Sequence, residues 1–187
     1  MSIVRITTYR CLYISLLTAY CSFHLAAQSP ASPEYEVKAV FLFNFTQFVQ
    51  WPANSFPTDQ APLVIGILGE DPFGSYLKET VLGEKANGHA MTIQHYNNVE
   101  EIKTCHILFI NLPGTNLEQV VESLKGRNIL TVSDAPDFLR HGGMVRFFTR
   151  NNKIQLQINL DPSKEANLVI SSKLLRLAEI FNPVKNN

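Results

Sequence analysis

Three short apolar runs constrain this chain more than any other feature. Leu63–Leu68 reads LVIGIL, Ile107–Ile110 reads ILFI and Ile129–Val132 reads ILTV. All three read as strands, and Ile107–Ile110, continuous and apolar, reads as one covered on both faces, as inside a parallel sheet. Segments of helical character separate the runs. Asp71-Pro72 places a capping residue before a proline and predicts a helix to about Val81. Asn116–Leu124 reads as a second helix, and Met91–Tyr96 as a further strand. Strands that alternate with helices predict an α/β fold with a mostly parallel sheet.

The flanking segments complete the layout. Within Glu34–Gln50, Val37, Phe41, Phe45 and Phe48 follow helical spacing, and other apolar residues fill most of the remaining sides, so this helix is expected to be buried. Trp51-Pro52 ends it, because the residue before proline avoids the α region. Ala53–Pro62 reads as a loop. Pro136–Arg140 is predicted as one or two helical turns, and a strand begins at Met144 and runs to Thr149. Asn151-Asn152 reads as a hairpin turn. Lys153–Leu160 follows as KIQLQINL, with Ile154, Leu156, Ile158 and Leu160 on one face. That hairpin adds antiparallel strands at one edge of the sheet. Asp161-Pro162 repeats the cap-then-proline signal, and a final amphipathic helix is expected to carry Ile170, Leu174, Leu175, Leu177 and Ala178. The fold class is α/β, a single domain with helices flanking the sheet.

The first residues point to export. Arg5 and Arg10 precede the apolar stretch Cys11–Ala27, and no acidic residue occurs before Glu34. This is the pattern of a secretory signal peptide over residues 1–27, with Ala26 and Ala27 as small residues for cleavage. A spanning helix is disfavoured, because Ser15, Thr18, Ser22 and His24 interrupt a run already short of the roughly 20 residues a bilayer needs. Tyr20 before Cys21 argues against lipidation. Residues 28–33 read as a flexible leader, residues 34–182 as the domain and residues 183–187 as a tail.

Cleavage leaves 14 Lys and Arg against 16 Asp and Glu. That balance argues against nucleic acid, whose partners cluster basic residues. About 160 residues remain, enough for one core. Cys105 becomes the lone cysteine and cannot form an internal disulfide; at the head of an apolar run it reads as a buried structural thiol.

No motif in the mature chain supports catalysis. Gly69-Glu70-Asp71-Pro72-Phe73-Gly74-Ser75 imitates the glycine spacing of a phosphate loop, but it lacks the lysine and carries two acidic residues that repel phosphate. His89, His95, His106 and His141 form no metal-ligand spacing and read as scattered surface or edge histidines. Cys105 and His106 are neighbours on a strand and so point to opposite faces. Ser133-Asp134 follows a strand, where α/β enzymes place reactive groups. Their place just before Pro136 fits helix capping better, and no nucleophile-elbow motif surrounds any serine. No metal, cofactor or catalytic residue is assigned.

Six segments in order carry a resemblance. They are YEVKAVFLFNFTQFVQWP at 35–52, PLVIGILGEDPFG at 62–74, CHILFI at 105–110, LTVSD at 130–134, GGMVRFF at 142–148 and INLDPSKEANLVISSKLLRLAEI at 158–180. Together they resemble the YfiR family of periplasmic regulators across nearly the whole mature chain. The resemblance implies an α/β sheet flanked by helices, no enzymatic activity and a tendency to form homodimers. It implies a periplasmic inhibitor of an inner-membrane diguanylate cyclase, bound through the cyclase's periplasmic sensor portion. Less cyclic-di-GMP, exopolysaccharide and biofilm would follow. Some members carry redox-responsive cysteine pairs, which the lone Cys105 cannot reproduce.

Two sites follow as expectations. The edge strand KIQLQINL and the final helix suggest a partner surface at Phe148, Ile158, Leu160, Leu168 and Ile170, with core packing as the competing reading; Arg146, Gln155 and Gln157 would face solvent or partner. The alternative function, a periplasmic solute-binding module, places a small-ligand pocket at the carboxyl ends of the strands, near Glu70, Asn111 and Ser133.

Overall fold

The computed structural model describes residues 31–112 and 117–183. The predicted signal peptide at 1–27, the first half of the leader and nearly all of the tail lie outside the described residues. Within them the order is α1 (Pro33–Phe48), β1 (Val49–Gln50), β2 (Leu63–Gly69), α2 (Ser75–Val81), β3 (Lys85–Ala86), β4 (His89–Tyr96) and β5 (Ile107–Asn111). Then follow α3 (Leu117–Leu124), β6 (Leu130–Ser133), β7 (Val145–Arg150), β8 (Lys153–Ile158), α4 (Leu160–Glu165), β9 (Val169–Ile170), α5 (Ser172–Leu175) and β10 (Ala178–Ile180). Eight strands form one sheet in the order β10-β8-β7-β6-β5-β2-β4-β3, and β1 pairs with β9 in a separate antiparallel pair. The pairs from β4 through β2, β5 and β6 to β7 are parallel, and β7 with β8 is antiparallel. The fold is therefore α/β with a mostly parallel sheet.

Strand alternation divides the interior into two cores. Leu63, Ile65, Ile67, Ile107, Phe109, Leu130, Val132, Val145, Phe147, Leu156 and Ile158 face one way. They pack against Ala39, Leu42 and Phe45 of α1, Leu77 and Val81 of α2, and Leu174 of α5. Phe45 and Phe147 stack with ring centroids 6.0 Å apart, a contact worth about 1 kcal/mol beyond the area it buries. Leu68, Leu108 and Ile110 face the other way, toward Val121 and Leu124 of α3 and Phe138 and Leu139 of the following loop. The continuous apolar runs of β2 and β5 thus serve both faces.

Four expectations are corrected. α2 begins at Ser75 rather than beside Asp71-Pro72, because the Asp71 carboxylate accepts from the Phe73 amide and Gly74 turns with φ 54°. Asn159, not Asp161, caps α4 by accepting from the Asp161 amide, so Leu160 belongs to a helix instead of the strand. The segment after Pro136 makes turns stapled by Gly143 N–H to Phe138 C=O rather than a helix. The final helix is broken into β9, α5 and β10, because Val169 and Ile170 pair with Gln50 and Val49 while Ala178–Ile180 pairs with Leu156–Ile158. β10 therefore covers β8, and KIQLQINL is not the edge strand. The hairpin stands as expected: Asn151 and Asn152 take φ 52° and 56°, the mirror-turn conformation that asparagine tolerates. Helix α1 is not wholly buried, since Val37 and Val40 remain exposed.

Candidate functional site

The carboxyl ends of β2 and β5 form the topological switch point. The chain leaves β2 toward β4 on one side and leaves β5 toward β6 on the other. Such a point opens a crevice in many α/β proteins. Here the two loops close on each other. The Glu70 amide donates to Asn111 C=O at 3.2 Å, and Asn111 Nδ2 donates to Glu70 C=O at 3.0 Å. Gly69 permits this approach: a β-carbon there would lie 2.2 Å from the Asn111 carbonyl oxygen. Ser133 is buried, donates to Ile110 C=O at 2.8 Å and accepts from the Ala135 amide. Glu70, Asn111 and Ser133 thus share one end of the sheet, with the Asn111 amide and the Ser133 hydroxyl engaged by backbone groups. Ser133 is a structural cap and not an aligned nucleophile.

Beside it lies a charged cluster that sequence reasoning missed. Lys38 is buried on α1, and its Nζ lies 2.6 Å from both Asp134 Oδ2 and Glu34 Oε1. Tyr35 donates to the same Asp134 oxygen at 2.9 Å, and its ring lies 4.1 Å from the ammonium. Burial, with the Asp134 carboxylate as the next cause, raises the Tyr35 hydroxyl well above its usual range and keeps it a donor. The signal was available: Lys38 is a lone cation inside a run of apolar residues, and a buried ammonium requires partners. The cluster pins α1 to the end of β6.

An open groove lies elsewhere among the described residues. A cavity of about 890 Å³ runs between α2 and β4, floored by Ile67, Leu77 and Ile93 and edged by Asp71, Lys78 and His95. Asp71 Oδ2 and His95 Nε2 lie 2.8 Å apart across it.

The five residues suggested for partner binding do not share one face. Ile158 and Leu168 are core residues, and half-buried Leu160 and Ile170 pack against the same core. Phe148 points through the opposite side of the sheet, where Arg146, Gln155 and Gln157 also lie by register. In the segment after α4, Val169 is 60% accessible and Leu177 71% accessible. Sequence reasoning assigned Leu177 to a buried helical stripe because the break between α5 and β10 depends on distant strand pairing.

His106 corrects the surface reading of the histidines. It is fully buried at the start of β5, where Nδ1 accepts from the Val64 amide at 3.0 Å, so the ring proton is on Nε2. Phe56 stacks on His106 at 4.3 Å and on His89 at 3.9 Å. Nε2 has no hydrogen-bond partner among the described residues, and burial lowers the ring's pKa to about 4. Cys105 points the other way, as expected for its neighbour on a strand, into the second core, where burial pushes the thiol up to about 12. A thiol held so fully protonated is a poor nucleophile. Among the described residues no group of three or more His, Cys, Asp or Glu is arranged to hold a metal. Likewise no helix among them is long and apolar enough to cross a membrane.

A family model described as YfiR/HmsC-like matches residues 35–179, from the charged cluster of α1 to the middle of β10. No curated protein matches the chain. The match takes in β1 to β9 and the first part of β10, the Lys38–Asp134 pair and the exposed Val169 and Leu177. The chain belongs to the YfiR/HmsC-like family.

Proposed function

We propose that the protein is an exported regulatory binding protein that restrains an inner-membrane diguanylate cyclase by docking on the cyclase's periplasmic portion. The family match carries the proposal: YfiR/HmsC-like membership suggests a regulator of the cyclic-di-GMP pathway, in a family that is generally periplasmic and is not a known enzyme family. The surface is consistent with docking. Val169 and Leu177 are large apolar side chains left exposed, and exposed apolar surface favours association. Binding would favour an inactive cyclase conformation, a population shift transmitted through the membrane by the partner. Lower cyclic-di-GMP, exopolysaccharide and biofilm would follow.

Co-purification of the mature chain with the periplasmic portion of the cyclase tests this reading. Val169→Lys and Leu177→Lys suit the test better than changes at Leu168 or Ile158, because exposed positions accept lysine without burying a charge. Both variants should fold normally and lose the cyclase. Retention of binding by the folded double variant would move the docking surface elsewhere.

The second reading is a periplasmic small-molecule-binding module. The groove between α2 and β4 favours it, because an apolar floor edged by a few polar groups suits a small ligand. A ligand that raises the melting temperature of the wild type but not of His95→Ala would support it.

A further inference from the structure

Among the described residues the helical layer on the α3 side does not extend over β7 and β8. The core beneath α3 takes residues from β2, β4 and β5 and none from β7 or β8. On that uncovered side, strand register sets Arg146 opposite Gln157, Phe148 opposite Gln155 and Arg150 opposite Lys153. Antiparallel partners share a face, so Arg146, Phe148, Arg150 and Lys153 form one surface with two glutamines between them. Half-buried Phe148 lies between two guanidiniums, with its ring centroid 5.8 Å from the Arg146 carbon and 5.0 Å from the Arg150 carbon. These contacts hold the cations flat against the sheet and reduce the freedom they lose on binding.

The surface is basic, although the whole sequence has zero net charge. Arg146, Arg150 and Lys153 stand against Glu179 of β10. Glu179 shows what the surface accepts: its carboxylate takes both terminal nitrogens of Arg150, the fork geometry of an arginine–carboxylate pair. Arg146 has no such match among the described residues. Its Nε is buried and lacks a hydrogen-bond partner among the described residues.

We propose that the open face of β7 and β8 binds an acidic protein segment, whose carboxylates pair with Arg146 and Lys153 while an apolar side chain covers Phe148. The inference rests on the reading of the protein as a partner-binding regulator, and it names the chemistry of a contact distinct from Val169 and Leu177. A second copy of the chain is disfavoured, since two basic faces repel. An anionic lipid surface is disfavoured because Phe148 is half-buried between arginines and offers no protruding apolar anchor.

Fluorescence anisotropy of the mature chain with a labelled peptide of alternating glutamate and phenylalanine tests the proposal. Binding should weaken at least tenfold in Arg146→Gln/Lys153→Gln and fall steeply as salt rises from about 50 to about 500 mM. Glu179→Gln, which frees Arg150, should strengthen it. Val169→Lys/Leu177→Lys should leave peptide binding unchanged, so loss of cyclase binding in that variant and loss of peptide binding in the arginine variant are separable results. Equal binding by the arginine variant and the wild type would overturn the proposal. So would tighter binding to phosphatidylglycerol vesicles than to the peptide, or a wild-type dimer that separates when Arg146 and Lys153 are neutralised. Circular dichroism confirms that each variant is folded.

Discussion

Lys38 Nζ lies 2.6 Å from Asp134 Oδ2, which ties the first helix to the end of a central strand across 96 residues of sequence. The lysine is 2% exposed, so its charge depends on that carboxylate and on Glu34. Asp134→Asn should destabilise the fold by about 3 kcal/mol, because it leaves a buried ammonium with one half-exposed partner. Lys38→Met should cost much less, since an apolar side chain of similar length fills the site. Urea denaturation checks both. The double variant Lys38→Met/Asp134→Asn should be more stable than Asp134→Asn alone, a sign of coupling that two independent sites would not give.

His106 should make stability fall in acid. The folded chain holds the ring neutral down to about pH 4, whereas the unfolded chain binds a proton near 6.5. As pH falls the unfolded state takes up the proton first. Stability is therefore intact above the unfolded value and is lost progressively between 6.5 and about 4. The loss should approach roughly 3 kcal/mol. Denaturation midpoints across that range check it, and His106→Gln, which keeps an acceptor for the Val64 amide, should flatten the slope while lowering stability near neutrality.

Gly66 is required by what crosses it. A β-carbon there would lie 2.7 Å from Tyr96 Cε2, 2.8 Å from Cys105 Sγ and 2.9 Å from Leu108 Cδ1. Gly66→Ala should cost about 2 kcal/mol by overpacking. Thermal denaturation should show Cys105→Ala recovering part of that loss, since it removes one of the three contacts.

The hairpin turn offers a gain. Asn152 holds φ 56°, a conformation glycine adopts without strain, and Asn-Gly is the favoured pair for this turn. Asn152→Gly should be neutral or stabilising by a few tenths of a kcal/mol, whereas Asn152→Val should cost about 1–2 kcal/mol. Chemical denaturation distinguishes them.

These sites show what the sequence discloses. Leu63–Leu68 read correctly as a strand and Ile107–Ile110 as a doubly covered one, because their character follows from composition alone. Ile154, Leu156 and Ile158 declared their face by alternation. The segment from Ile170 to Ala178 misled, because its apolar spacing imitates a helix while the backbone is claimed by Val49–Gln50 and by β8, partners more than 20 residues away or on another strand. Asp71-Pro72 misled for a local reason, a side chain that closes its own turn before the helix begins. The candidate surfaces were partly legible. Arg146, Gln155 and Gln157 were assigned a solvent or partner face, whereas Phe148 was grouped with residues of the opposite face, and only the strand register puts it beside Arg146. Lys38 was visible in the sequence as an anomaly, and its partner Asp134 was not, because that pairing is made by the fold.

Intracellular cyclic-di-GMP is the most direct measure of the central claim. It should be quantified in cells that lack the protein, in cells complemented with the wild type, and in cells complemented with Val169→Lys/Leu177→Lys at equal abundance. The account predicts a rise on loss of the protein, reversal by the wild type and no reversal by the double variant. Cyclic-di-GMP that stays the same in all three would contradict the assignment of the protein as a restraint on a diguanylate cyclase.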